Sequence, residues 1–423
     1  MAYQNIPQPR RRLIHREIAR VLLAAAEADS LLAGDVTHHA TLSNDHELAA
    51  HAFVFAGERA LKLFANREAD SLAERGLRHI GQLPRRQIKL EAHISLLKIR
   101  ILAATATGMR SLPPIADELN HATSSAEALG LHSVAATGHY LLSVLYQAVG
   151  DIERAERSTL SAAQAGRTAD QLTQARQLAN TARCLLELET QIPRSRLLFR
   201  EAESIASSLA MEFCELHWAR GLLQRWDGDE GSAVTSIEQA LVLAREDEDR
   251  WREYKCLTWL SVLALERGRA LEAYSRCSEL TAVASKLGQD ETPFAMTLTA
   301  LAELEQSNAI DEQTSLTTAL NQLRAVDNKS YLAIALNLAA WSHLRAGQLE
   351  IARSEAREAL ASASTMHRQN EVAIAQAILA SVGESTALRA LQGLEPDILS
   401  ARARATISWC RGETPTLVST IES

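Results

Sequence analysis

Cysteine, proline, glycine and aromatic side chains are all scarce in this chain, and each shortage excludes something. The five cysteines, Cys184, Cys214, Cys256, Cys277 and Cys410, are odd in number and widely separated, and no C-x-x-C occurs. That pattern supports neither a disulfide framework nor a zinc knuckle, and the residues read as small buried apolar groups. Only 18 glycines and 9 prolines punctuate 423 residues. Long helices are therefore expected rather than sheets joined by tight turns. No lysine- or arginine-rich tail is present, and 44 basic against 52 acidic side chains leave a formal net charge of −8. Such a chain lacks the counterion-releasing surface that nucleic acid needs, so no direct nucleic-acid partner is expected.

Long apolar runs are missing too. The longest stretch without formal charge, Ala128 to Gly150, contains His132, Gly138, His139 and Gln147 and reads as a buried helix pair, not a membrane span. At the N-terminus Arg10, Arg11 and Arg12 lead into Leu13-Ile14-His15-Arg16-Glu17, whose charges interrupt any signal-peptide core. A cytoplasmic location with no membrane partner is the expectation.

What the chain does have is self-similarity. Short polar breaks at Ala65-Asn66, Thr107-Gly108, Gly150-Asp151, Gln191-Ile192, Gly228-Asp229, Gly268-Arg269, Ala309-Ile310, Gly347-Gln348 and Gly383-Glu384 recur about every 40 residues, the period of two-helix repeats. Ala155, Ala233, Ala273 and Ala352 each stand five positions past the glycine of their own break. A small side chain there lets the second helix approach the first closely. Between breaks the periodicity is helical, as in Leu141-Leu142-x-x-Leu145-Tyr146-x-x-Val149. Glycine suits the left-handed end of the first helix, and the following aspartate can start the second. A lone hairpin cannot cover its own apolar face, so neighbours must stack.

Several of these units resemble tetratricopeptide repeats, most clearly Leu142, Tyr146, Gly150, Asp151, Ala155 and Ala162, then Gly221, Gly228, Asp229, Ala233 and Ala240. His139 and His217 stand where that family has tryptophan, and the units near Gln191 and Ala309 lack the glycine. The resemblance implies an all-α fold, a right-handed superhelical solenoid of about nine to ten stacked hairpins. The expected organisation is N-terminal capping helices over 1–46, repeats over 47–382 and C-terminal capping helices over 383–423. A second resemblance lies in Arg11-Arg12-Leu13-Ile14-His15-Arg16-Glu17-Ile18-Ala19, His38-His39-Ala40, Ala56-Gly57-Glu58-Arg59-Ala60-Leu61 and Ala65-Asn66-Arg67-Glu68-Ala69. This stretch is similar to the start of the helical-repeat arm of STAND-type signalling ATPases and related transcriptional regulators, which implies an inducer- or partner-sensing role. No G-x-x-x-x-G-K-[ST] loop accompanies it.

Catalytic and metal signatures fall short. In His46-Glu47-Leu48-Ala49-Ala50-His51 the histidines are five apart, about 140° around a helix, where the zinc-protease motif needs about 40°. Asp227, Asp229 and Glu238 take first, third and twelfth places of a calcium loop, but Gly231 and Ser232 occupy places that need a ligand and the turning glycine. Glu246-Asp247-Glu248-Asp249 reads as a solvated connector. With no nucleophile elbow or family cysteine–histidine signature, no enzyme, cofactor or metal is expected.

A ligand would lie against the first helices of the hairpins, which line the concave side of such an array. Those positions include Tyr140, Val144 and Gln147, then Trp218, Leu222 and Arg225, then Asn337, Trp341 and Arg345. Aromatics and arginine dominate binding hot spots, and arginine can clamp a carboxylate or phosphate with two prongs. Packing between neighbouring helices is the competing reading, and the weightier one for Trp218 and Trp341. The expected function is a non-catalytic sensor arm that binds a protein, peptide or small inducer at Tyr140, Gln147, Trp218, Arg225, Asn337, Trp341 and Arg345. A stand-alone peptide-pheromone receptor or adaptor is the alternative, and a metal-dependent enzyme a more distant one.

Overall fold

In a computed structural model the described residues are 6–26, 32–107, 112–288, 291–307, 310–326, 328–394 and 398–412. Every regular element among them is a helix. The first group is α1 (Gln8–Ala26), α2 (Ala33–Ser43), α3 (His46–Lys62), α4 (Asn66–Ile80), α5 (Arg86–Thr107), α6 (Leu112–Ala128) and α7 (His132–Ala148). Next come α8 (Ile152–Gly166), α9 (Gln171–Leu188), α10 (Ile192–Leu209), α11 (Cys214–Asp227), α12 (Glu230–Glu246), α13 (Arg250–Glu266) and α14 (Ala270–Leu287). The last are α15 (Thr292–Ser307), α16 (Ile310–Val326), α17 (Lys329–Arg345), α18 (Leu349–Thr365), α19 (Gln369–Ser381), α20 (Ser385–Gln392) and α21 (Ala401–Cys410). Helices pair in chain order, so the expected all-α array of stacked hairpins is what the chain forms.

The turns explain the pairing. Gly150, Gly228, Gly268, Gly347 and Gly383 all hold positive φ, between 64° and 91°, at the joint between first and second helices. Only glycine takes that left-handed conformation without steric cost, and it ends each first helix by freeing the chain to reverse. Asp229 then accepts from Ser232 N and starts α12. Past these turns Ala155, Ala233, Ala273 and Ala352 are completely buried, as close helix approach requires. At Gly221 the approach is closer still, since an added Cβ would lie 2.5 Å from Ile237 Cγ1. Gly108 and Ala309, two of the expected break residues, lie outside the described residues.

The chain divides into two compact units, one made of residues 1–149 and 157–177, the other of 150–156 and 178–423. In the first, Phe53, Leu96, Ile99 and Ala50, Ala56, Ala60, Ala69 and Ala73 of α3 and α4 form one apolar cluster, and Leu97, Ile101, Leu119, Leu142 and Leu145 another. In the second, Ala340, Ala356, Ile374, Ile378, Leu391, Leu399, Ala403 and Ile407 join α17 to α21. Alanine and leucine thus carry the packing, which is why so few aromatics suffice. Four of the cysteines are buried in this second unit and none forms a disulfide; Cys277 has its thiol pushed up to about 12 by burial. Among the described residues no helix is long and apolar enough to cross a membrane.

Candidate binding site

In the second unit, helices far apart in sequence converge on a cluster of buried charges. Arg225, from the last turn of α11, faces Glu266 at the end of α13: its Nη2 donates to Oε1 at 2.6 Å and its Nε to Oε2 at 3.2 Å. The guanidinium also lies 4.9 Å from the ring centre of Trp259, about two turns earlier on α13. Arg402 of α21 reaches the same Glu266 at 2.9 Å and Glu371 of α19 at 3.5 Å. Asn337 of α17 donates its Nδ2 to the Glu371 side chain at 2.8 Å and to its backbone oxygen at 2.9 Å. Asn337 is wholly buried, and the side chains of Glu266 and Glu371 are each only 4% exposed.

A second contact joins the two ends of this unit. Glu189, just past α9, accepts from Arg368 Nε at 2.9 Å and from the Asn370 backbone N–H at 2.7 Å. Asn370 in turn accepts from Ser400 N at 2.7 Å, which fixes the start of α21. Glu189 sits at φ +58°, in a turn of the kind where five other hairpins use glycine. A non-glycine residue there carries strain, and here its carboxylate is the group that binds Arg368. Beside these residues Glu187 accepts from Trp259 Nε1 at 3.1 Å and from Arg183 Nη1 at 2.5 Å. The space left between Glu189, Arg225, Trp259, Arg368, Glu371 and Arg402 is a cavity of about 20 Å³, room for one water-sized group.

The electrostatics are tightly balanced. Burial by itself would raise the Glu266 carboxyl, but Arg225 and then Arg402 more than reverse it and hold it below the usual carboxylate range. Burial likewise opposes the charge on Arg225 and Arg368, and Glu266 and Glu189 respectively restore it, so both stay protonated. Glu189, Glu266 and Glu371 face Arg225, Arg368 and Arg402, three carboxylates against three guanidiniums.

Of the residues expected to bind, Arg225 and Asn337 belong to this cluster. Trp218 takes the packed role: it is 1% exposed, under the Arg183 guanidinium at 4.3 Å. Trp341 is half-buried and meets Trp409 edge-on at 4.8 Å, and Arg345 is half-exposed, 3.8 Å from Glu305. Tyr140 and Gln147 lie on α7 in the first unit, where Tyr140 packs against the Leu142 cluster. Sequence reading missed Glu189, Glu266, Arg368, Glu371 and Arg402. Only the non-glycine residues in the Glu189-Thr190-Gln191 turn hinted at them.

The residues read as near-misses for metal are occupied elsewhere. Asp227 pairs with Arg196, Glu238 with Arg276, and Asp229 caps α12. In the acidic run Asp249 caps α13 through Arg252 N at 3.0 Å. In the first unit His46 pairs with His79 at 3.0 Å and His15 with His39 at 2.7 Å, Nδ1 to Nδ1 in both cases. Burial, then the partner imidazole and nearby arginines, lower the affinity of His15 and His79 for a proton.

No protein-family model matches the chain, and no curated protein is similar to it in sequence. Among solved structures, a Rap protein complexed with competence and sporulation factor is similar over 81% of this chain and 99% of its own, with a TM-score of 0.51 and 13% identity. At that identity the likeness defines a common fold, and this chain is a helical-repeat protein. A circular tandem repeat protein with novel repeat topology aligns over 96% of both chains at 12% identity, but its TM-score of 0.17 gives it no weight.

Proposed function

We propose that this chain is a non-catalytic helical-repeat sensor that binds a peptide or protein segment at the charged inner cluster of its second unit. The observation that carries the reading is the convergence of Arg225, Trp259, Arg368, Glu371 and Arg402, from four separate helices and one cap, on a single polar cavity, with Asn337 of a fifth helix bonded to Glu371 behind it. A solenoid core needs no such group, because alanine and leucine already hold the hairpins together, and apolar side chains of similar volume often replace buried ion pairs with no loss of stability. Their mutual neutralisation suits recognition rather than proton transfer. The shared fold supports the reading, since the Rap protein was captured with competence and sporulation factor bound. The likeness of residues 11–69 to the start of a STAND-type arm makes a regulatory role, coupled to a separate effector, the natural setting.

The test is selection of displayed random peptides on the immobilised full chain, followed by titration calorimetry of the survivors. Saturable binding that Glu371→Gln or Asn337→Leu weakens at least tenfold is the expected result. Peptides whose affinity neither substitution changes would place the interaction elsewhere, and no saturable binder at all would remove the reading.

A further inference from the structure

We propose that Arg402 is an internal stand-in for a ligand cation, so that the seat between Glu266 and Glu371 recognises the guanidinium or ammonium of a basic side chain on the partner. This rests on the peptide-binding reading and adds the chemistry of its ligand. Arg402 belongs to α21, the helix that follows the last hairpin and packs on α19 through Ala403 and Ile407. From there its side chain crosses to α13, reaching Glu266 at 2.9 Å and Glu371 at 3.5 Å. Yet its Nη1, buried between them, is aligned for a hydrogen bond with neither carboxylate. Arg225 makes two directed hydrogen bonds to the same Glu266, so Arg402 is the more loosely held cation of the two.

Charge counting gives the sign of whatever replaces it. With Arg402 swung out, Glu189, Glu266 and Glu371 face only Arg225 and Arg368, and one buried negative charge is left over. A carboxylate or phosphate would worsen that imbalance; a cation cures it. Beside the seat, Asn337 spends its Nδ2 on Glu371 while its fully buried Oδ1 has no hydrogen-bond partner, an acceptor that a ligand N–H would satisfy. The cavity adjoining Arg402 gives an incoming group its first foothold. Binding is therefore an exchange of one cation for another, and its outward signal is release of α21.

The probes are N-acetyl-arginine amide and its neutral isostere N-acetyl-citrulline amide, added to the full chain. Arg402→Ala should bind the arginine amide saturably, at least tenfold tighter than wild type, and recover at least half of its lost thermal stability; the citrulline amide should do neither. Arg402→Met, which keeps the apolar stem, serves if the alanine variant fails to fold, and a further Glu371→Gln should abolish the discrimination. In the wild-type chain the arginine amide should speed amide exchange across residues 401–410. Equal response to the two probes in a folded variant, or wild-type exchange that does not change, overturns the proposal. If the arginine amide binds but no peptide does, the cation seat stands and the peptide reading falls. If peptides bind wild type and Arg402→Met equally, the converse holds.

Discussion

Replacing Arg225 by methionine isolates the ion pair that holds α11 to α13. The substitution keeps the stem of the side chain but removes both hydrogen bonds to Glu266 and the contact with Trp259. Breaking a buried pair from one side costs about 3–5 kcal/mol, because the surviving charge stays desolvated. Glu266 keeps Arg402 as a second partner, so the lower end, about 3 kcal/mol, is expected. For a unit of this size that corresponds to a fall in Tm of roughly 6–12 °C. The double variant Arg225→Met/Glu266→Leu leaves two carboxylates, Glu189 and Glu371, against two guanidiniums, Arg368 and Arg402, and should lie within about 1 kcal/mol of wild type. The measurement is urea unfolding followed by far-ultraviolet circular dichroism, with native-state hydrogen exchange on α11 and α13 to locate the loss. A single variant costing under about 1 kcal/mol, or a double variant equal to the sum of its two singles, would refute the reasoning. The pH dependence supplies a second check. Glu266 is held below its unfolded value, so its contribution is present above about pH 4.5 and is lost as pH falls through the folded value. Removing Arg225 weakens that hold and should move the acid-sensitive range upward.

Further outcomes follow from other parts of the chain. Gly228→Ala adds a Cβ at φ +91° that would lie 2.8 Å from Ala401 Cβ, so a loss of about 1–3 kcal/mol with faster exchange in α21 is expected by hydrogen-exchange mass spectrometry. Glu189→Gly relieves a left-handed backbone but strands Arg368, and thermal melts should show net destabilisation of about 1–3 kcal/mol; a more stable variant would mean the carboxylate does nothing. Ala233→Leu should cost about 1–3 kcal/mol by forcing α11 and α12 apart, while the same change at the exposed Val242 should leave stability within about 0.5 kcal/mol. His15 and His79 are lowered relative to their unfolded values, so their stabilising effect is complete above about pH 6.5 and declines as pH falls through the folded values. The double variant His15→Asn/His79→Asn should flatten the dependence of Tm on pH between about 7 and 5 relative to wild type.

The hairpin array was legible because its determinants are local. A glycine at the left-handed joint, an aspartate one step later and an alanine five positions on are constraints set within one unit, and Gly228, Asp229 and Ala233 carry all three. The charged cluster proposed as the binding site was legible only in part. Arg225 and Asn337 were reachable by counting along the first helices, and Trp218 by the same count proved to be a packing residue beneath Arg183. Arg368 and Glu371 sit at the start of α19, and Glu189 in a turn, where repeat counting looks for caps rather than ligands.

The sequence by itself therefore determined the element type, the repeat period and the small residues at each helix crossing, since these depend on neighbours within about one hairpin. Which charges meet was decided only by tertiary structure. Glu189 and Arg368 are 179 positions apart, and the pairing of Arg402 with Glu266 depends on how many hairpins intervene and how far each turns from the last. Rotation accumulates over every stacked pair, so no local pattern encodes its total, and the electrostatic consequence appears only where the ends of the second unit come together.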